Sequence, residues 1–170
     1  MSREVRRVPA DWQHPKGADG RYIPLFDGSF SKSAADWDEE AAQWAKGFKR
    51  DYPEGWEAKD SDDTETFEEW DGERPVESTY MPEWPEEERT HLQMYESTTE
   101  GTPVSPVMET PEELAHWLAD NAASACGGMT ATYGQWLATI QVGFAPTMMF
   151  SPKTGLISGV EASLPPKDKE

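Results

Sequence analysis

Few side chains in this 170-residue sequence stand where their type and spacing would support covalent chemistry. A thiol nucleophile would need Cys126, the one cysteine, beside a histidine base. The histidines are His14, His91 and His116. The nearest in sequence, His116, lies ten residues away on a segment with helical spacing, and nothing in that spacing brings its ring to a thiolate. Zinc takes about four ligands in paired spacing, which one cysteine and three scattered histidines do not supply. The run from Asp60 to Glu65, DSDDTE, has the acid density of a calcium loop but lacks the glycine of its sharp turn and the spaced terminal glutamate. Neither a phosphate-cradling glycine motif nor a G-x-S-x-G elbow is present. The sequence therefore points to no catalytic, cofactor-binding or metal-ligating residue, and a non-enzymatic protein is the favoured reading. Carboxylates are its one abundant functional group.

Thirty-three acidic residues face fifteen basic ones, a net charge of −18. Residues 51–100 hold eighteen of the acids with three basic residues, and also three Trp, three Tyr and one Phe. At such density any two carboxylates lie close by chance, so their pairing carries no catalytic information. The aromatics do carry information, because a disordered acidic tail lacks them. Trp56, Phe67, Trp70, Tyr80 and Trp84 each offer apolar area worth about 2 kcal/mol if buried. Pro75, Pro82 and Pro85 divide the stretch into short pieces. The expectation is an ordered anionic surface. Its candidate residues are Asp60, Asp62, Asp63 and Glu65, then Glu68, Glu69, Asp71 and Glu73, then Glu86, Glu87 and Glu88. Such a charge excludes direct binding to nucleic acid or an anionic membrane, and favours a basic protein as partner.

Positioning these groups falls to the rest of the chain, read as a single domain. Residues 1–32 read as an extended arm, with Trp12, Tyr22, Ile23, Leu25 and Phe26 as anchors and with Arg3, Arg6 and Arg7 pairing with the acidic section. Residues 33–50 read as a helix capped by Ser33, with Trp37, Trp44 and Phe48 on its apolar stripe and Lys46, Lys49 and Arg50 at its negative end. The acidic section, 51–89, holds a short helix near Glu65 to Trp70 and a helical first turn after Pro85. Within 90–162 the spacing predicts a strand at 90–96 and a helix opened by Thr110, Pro111 and Glu113. A second helix follows, boxed by Thr132 and Gln135, and then a hairpin across a Pro152 to Gly155 turn. The tail 163–170 reads as frayed. The class is α+β: a small antiparallel sheet, two or three packed helices and long irregular proline-rich acidic segments.

Several strings, REVRRVPADWQHP, YIPLFDG, YMPEWPEEERTHLQMYESTTEGTPVSPVMETPEELAHWLADN and TYGQWLATI, give the sequence an overall likeness. It resembles small acidic, uncharacterised proteins of tailed bacteriophages and prophages. That resemblance implies a phage genomic setting and transfers no residue role, while the lack of a membrane-length apolar stretch or a signal's apolar centre, with a single cysteine, points to the host-cell cytoplasm. Two functions fit it. One is an accessory protein whose acidic, aromatic surface contacts a basic host or phage protein, or whose helices pack on a second copy. The alternative is a nucleic-acid mimic that inhibits a host DNA- or RNA-binding defence protein, of the anti-restriction or anti-CRISPR type.

Overall fold

The computed structural model describes residues 2–53, 55–97, 101–152 and 155–163. In chain order the elements are β1 (Arg3–Val8), α1 (Phe30–Trp44), β2 (Phe48–Asp51), β3 (Gly55–Ala58) and α2 (Phe67–Asp71). There follow β4 (His91–Glu96), β5 (Thr102–Pro103), α3 (Pro111–Asp120), α4 (Tyr133–Val142), β6 (Phe144–Ala145), β7 (Met148–Ser151), β8 (Gly155–Ser158) and α5 (Gly159–Ala162). Every strand pairing is antiparallel, and the fold is α+β. The chain divides into two compact units, residues 27–81 and a second made of 1–26 with 82–170.

The larger unit is built on a four-stranded sheet in the order β5-β4-β1-β6. β1 runs against β4 in full register, from Arg3 opposite Glu96 to Val8 opposite His91. Residues 3–8 are therefore an inner strand and not an arm. Arg3 and Arg6 are 2% and 5% exposed. Arg3 donates to Ser2 O, Ser124 O and Ser124 Oγ. Burial pushes its guanidinium below the ordinary value while Glu96, opposite it in the sheet, pulls the other way. Arg6 donates to Leu25 O and Glu4 and lies 4.3 Å over the Tyr95 ring. A buried cation must be paired and hydrogen-bonded, which these contacts provide.

Successive side chains of β4 point to opposite faces. Leu92 and Met94 join Leu114 and Leu118 of α3 and Trp136 and Ile140 of α4 in one apolar core. Gln93 and Tyr95, on the other face, are buried as well, under the segment that follows β1. The expected alternation of apolar and polar residues is present, yet both faces are covered. Of the expected anchors in that segment, Leu25 is buried and Trp12 half-buried, while Tyr22, Ile23 and Phe26 are exposed.

The helix starts fall where the sequence puts them. Thr110 accepts from Glu113 N with Pro111 in the first turn, and Thr132 and Gln135 form a reciprocal box. Gly143, at φ 93°, ends α4 in the left-handed conformation that spares glycine a Cβ clash. Gly159 opens α5 where a Cβ would meet Pro146 O at 1.9 Å, so only glycine fits. β7 and β8 form the expected hairpin. Two of its four turn residues, at 153 and 154, and the tail at 164–170 lie outside the described residues. After Pro85 the chain forms a single 3-10 turn, Glu86–Glu88, where an α-helical turn was expected.

In the 27–81 unit the helix begins earlier than the charge pattern suggests. Ser29, not Ser33, accepts from Lys32 N and caps α1. Ala45 closes α1, and Gly47, at φ 92°, turns the chain into the β2-β3 hairpin. Lys49 and Arg50 therefore sit on a strand, and Phe48, 42% exposed, leaves the stripe. The core is aromatic. Phe67 of α2 is buried with ring centroids 5.1 Å from Trp37 and 5.9 Å from Trp44, and Trp70 stacks on Trp44 at 4.7 Å. The indole N–H groups of Trp37 and Trp44 donate to Gly72 O and Glu65 O, so α1 holds both flanks of α2. The acidic section is thus partly folded, as its aromatics require.

Trp136 is fully buried at the centre of the larger core. Replacing it with Ala is expected to destabilise that unit by about 3 to 5 kcal/mol. Urea denaturation followed by backbone circular dichroism measures this, and an unchanged midpoint would remove Trp136 from the core.

Candidate functional site

Residues 27–81 hold seventeen carboxylates and six basic side chains, a net charge of −11 on one compact unit. What fixes them is local. Lys49 projects from β2 with its Nζ 2.5 Å from Asp60, 3.3 Å from Asp63 and 3.8 Å from Glu57. Asp63 also accepts from Asp60 N at 2.9 Å. That backbone bond, with Lys49, holds the Asp63 carboxyl below its ordinary value, and the carboxylates hold Lys49 above its own. The run that resembles a calcium loop is therefore closed around an ammonium group.

Three residues after Asp63, Thr66 caps α2. Its N–H and hydroxyl both donate to Glu69 Oε2, and Glu69 N donates back to Thr66 Oγ1. These bonds hold Glu69 below the usual carboxylate value. Beyond α2, Arg74 grips Asp38 of α1 with two bonds of 2.8 and 2.7 Å, which lower Asp38 likewise. Lys32 pairs with Asp36, Arg50 lies 3.7 Å from Glu40, and Lys59 sits 3.7 Å over the Trp44 ring. Five of the unit's six cations are thus engaged internally.

The eleven sequence-derived candidates sort accordingly. Asp60, Asp63 and Glu69 are structural, since they close the turn and cap the helix. Asp62, Glu65, Glu68, Asp71 and Glu73 are exposed, and their side chains make no hydrogen bond or ion pair among the described residues. These five lie within twelve residues of chain on an ordered turn, a capped helix and its exit. Trp70, 41% exposed, offers an aromatic edge on the same helix. Glu86, Glu87 and Glu88 are exposed too, but belong to the other unit.

Comparison with family models, curated proteins and solved structures finds no match.

The other chemistry weighed from sequence is not assembled. His14 bonds to Tyr95 and Ile23, His91 to Thr90, and His116 stacks on Tyr133 at 4.1 Å. None lies within hydrogen-bond reach of Cys126, a half-buried thiol among the described residues. No group of three or more histidine, cysteine or acidic residues among those described is placed to hold a metal ion. Sequence reasoning missed Lys49 as the organising cation because it read it into a helix end. Its position two residues past Gly47 was the available signal.

Asp63 and Glu69 have folded-state values below 3.8 and 4.5 respectively, so their stabilising contributions are present above those values and lost as pH falls through and beneath them. Protection of the Asp63, Thr64 and Glu69 amides from hydrogen exchange, corrected for intrinsic rate, is expected to fall in that window. Lys49→Met should produce a several-fold loss at Asp63 and Thr64 already at neutral pH while leaving Glu69 protected. Unchanged exchange at Asp63 in the variant would show that the ammonium does not hold the turn.

Proposed function

We propose that this chain is a non-enzymatic accessory protein that binds a basic protein partner through the carboxylates of residues 27–81. One observation carries the reading: five of the unit's six cations are engaged within it, and Asp62, Glu65, Glu68, Asp71 and Glu73 are left exposed and uncompensated on ordered backbone. An ordered set of charges loses less entropy on docking than a disordered acidic segment, and its field speeds encounter with a cationic surface. The exposed edge of Trp70 supplies the aromatic contact that interfaces favour. A bacteriophage setting rests on the likeness of the sequence alone.

The reading is tested with a variant in which Asp62 and Asp71 become Asn and Glu65, Glu68 and Glu73 become Gln. None of these side chains makes a hydrogen bond or ion pair among the described residues, so the variant should fold, and relief of charge repulsion should keep its thermal stability close to or above the parent's. Affinity capture from host-cell extract with parent and variant side by side is expected to retain a basic protein on the parent only, and to release it as salt is raised. A nucleic-acid-binding protein in that fraction, displaced competitively by duplex DNA or RNA, would specify mimicry as the mode of action. Equal capture by the variant, or no salt-sensitive partner, would sink the proposal.

A further inference from the structure

A cleft of about 580 Å³ in the unit of residues 1–26 and 82–170 differs in kind from the acidic surface. Trp12 and Tyr22 line it from the segment after β1, Trp117 lines it from α3, and Gln93 of β4 and Ser105 contribute polar groups. Its volume suits a ligand of one or two rings. Thirty-three of 170 residues are acidic, yet no carboxylate lines this cleft, and Lys16 is its formal cation. Lys16 Nζ lies 4.7 Å over the Tyr22 ring and is exposed to solvent.

Beneath the cleft two acceptors share one hydroxyl proton. His14 is buried, and its Nε2 lies 2.7 Å from the Ile23 carbonyl oxygen, so Nε2 carries a proton. Burial pushes the imidazole below its ordinary value, against the pull of that carbonyl and with help from Arg6. The neutral ring turns Nδ1, an acceptor, towards the Tyr95 hydroxyl at 3.2 Å. Gln93 is oriented by its Nε2 donating to Ser105 O at 2.8 Å, which leaves Oε1, also an acceptor, 2.8 Å from the same hydroxyl. That hydroxyl already accepts from Trp12 Nε1 at 3.1 Å. It has one proton to give and two acceptors face it, so either His14 Nδ1 or Gln93 Oε1 is one donor short. Both residues line the cleft, so an N–H arriving from the cleft would meet an acceptor that now shares its donor with a second one.

We propose that this cleft binds a small planar heteroaromatic anion. Its ring lies against the aromatic walls, and a ring N–H donates to Gln93 Oε1, so that the Tyr95 hydroxyl turns wholly to His14. Its carboxylate or phosphate pairs with Lys16. The site is independent of the anionic surface on residues 27–81.

Calorimetric titration of the full chain with indole-3-carboxylate and guanosine 5′-monophosphate, each beside its neutral counterpart indole or guanosine, tests the proposal and separates carboxylate from phosphate ligands. At physiological salt, which screens the chain's net charge of −18, at least one anion is expected to saturate the protein and to bind about fivefold more tightly than its neutral counterpart, a difference that Lys16→Met abolishes. Lys16 is exposed, so this variant keeps the fold. For the indole pair, 1-methylindole-3-carboxylate, which lacks the N–H, should bind about tenfold more weakly than its parent. For the nucleotide, Gln93→Leu should cost about the same factor. No saturation by any probe below about 10 mM, or an affinity indifferent to removal of the donor pair or to Lys16→Met, overturns the proposal.

Discussion

The pairing of Arg3–Val8 with His91–Glu96 is the constraint on which the larger unit depends. It places two arginines inside a sheet, and the surroundings must answer for them. Ser124, Glu96, Leu25 and Tyr95 are held where they are by those guanidinium groups or hold them in turn. It also splits β4 into two differently furnished faces. One is apolar and seats α3 and α4. The other carries Gln93 and Tyr95 and needs a polar lining, which Trp12 and His14 provide. The cleft lies on that second face, beside the irregular segment that covers it.

In the 27–81 unit the balance lies between aromatic burial and charge repulsion. Two carboxylates about 6 Å apart in water repel by about 0.7 kcal/mol, less in physiological salt, whereas burying one large aromatic side chain contributes about 2 to 3 kcal/mol. Trp37, Trp44, Phe67 and Trp70 therefore outweigh their acidic neighbours, and the acids settle on the outside of a shape chosen by the rings. Lys49 draws together carboxylates that the aromatic contacts have already brought near, and Arg74 ties the exit of α2 to Asp38 of α1.

Much of this was legible in the sequence where the signal was local. Thr110 with Pro111, Thr132 with Gln135, and the run from His91 to Glu96 mark their elements because capping and alternation are short-range effects. Long-range partners were not. Nothing near Arg3 or Arg6 says that they lie in an inner strand, since three arginines among six residues look like solvated charge. Ser29 and Ser33 are equally good caps, and the choice between them rests on where Phe30 and Trp44 find their neighbours. The exposed carboxylates could be named, but which of them the fold uses depends on Lys49 and Thr66. The cleft left no trace in the sequence, because its lining residues are spread from Ala10 to Trp117.

The order in which the two units leave the ribosome follows from the same pairing. β1 is synthesised before its partner, eighty-two residues separate Val8 from His91, and closing so long a loop of free chain costs about 4 kcal/mol, constant terms aside. Residues 27–81 form a compact unit whose whole chain precedes β4. Once folded, they remove fifty-five residues of free chain from that loop. The acidic unit thereby acts as an intramolecular tether that shortens the search of the first strand for its mate.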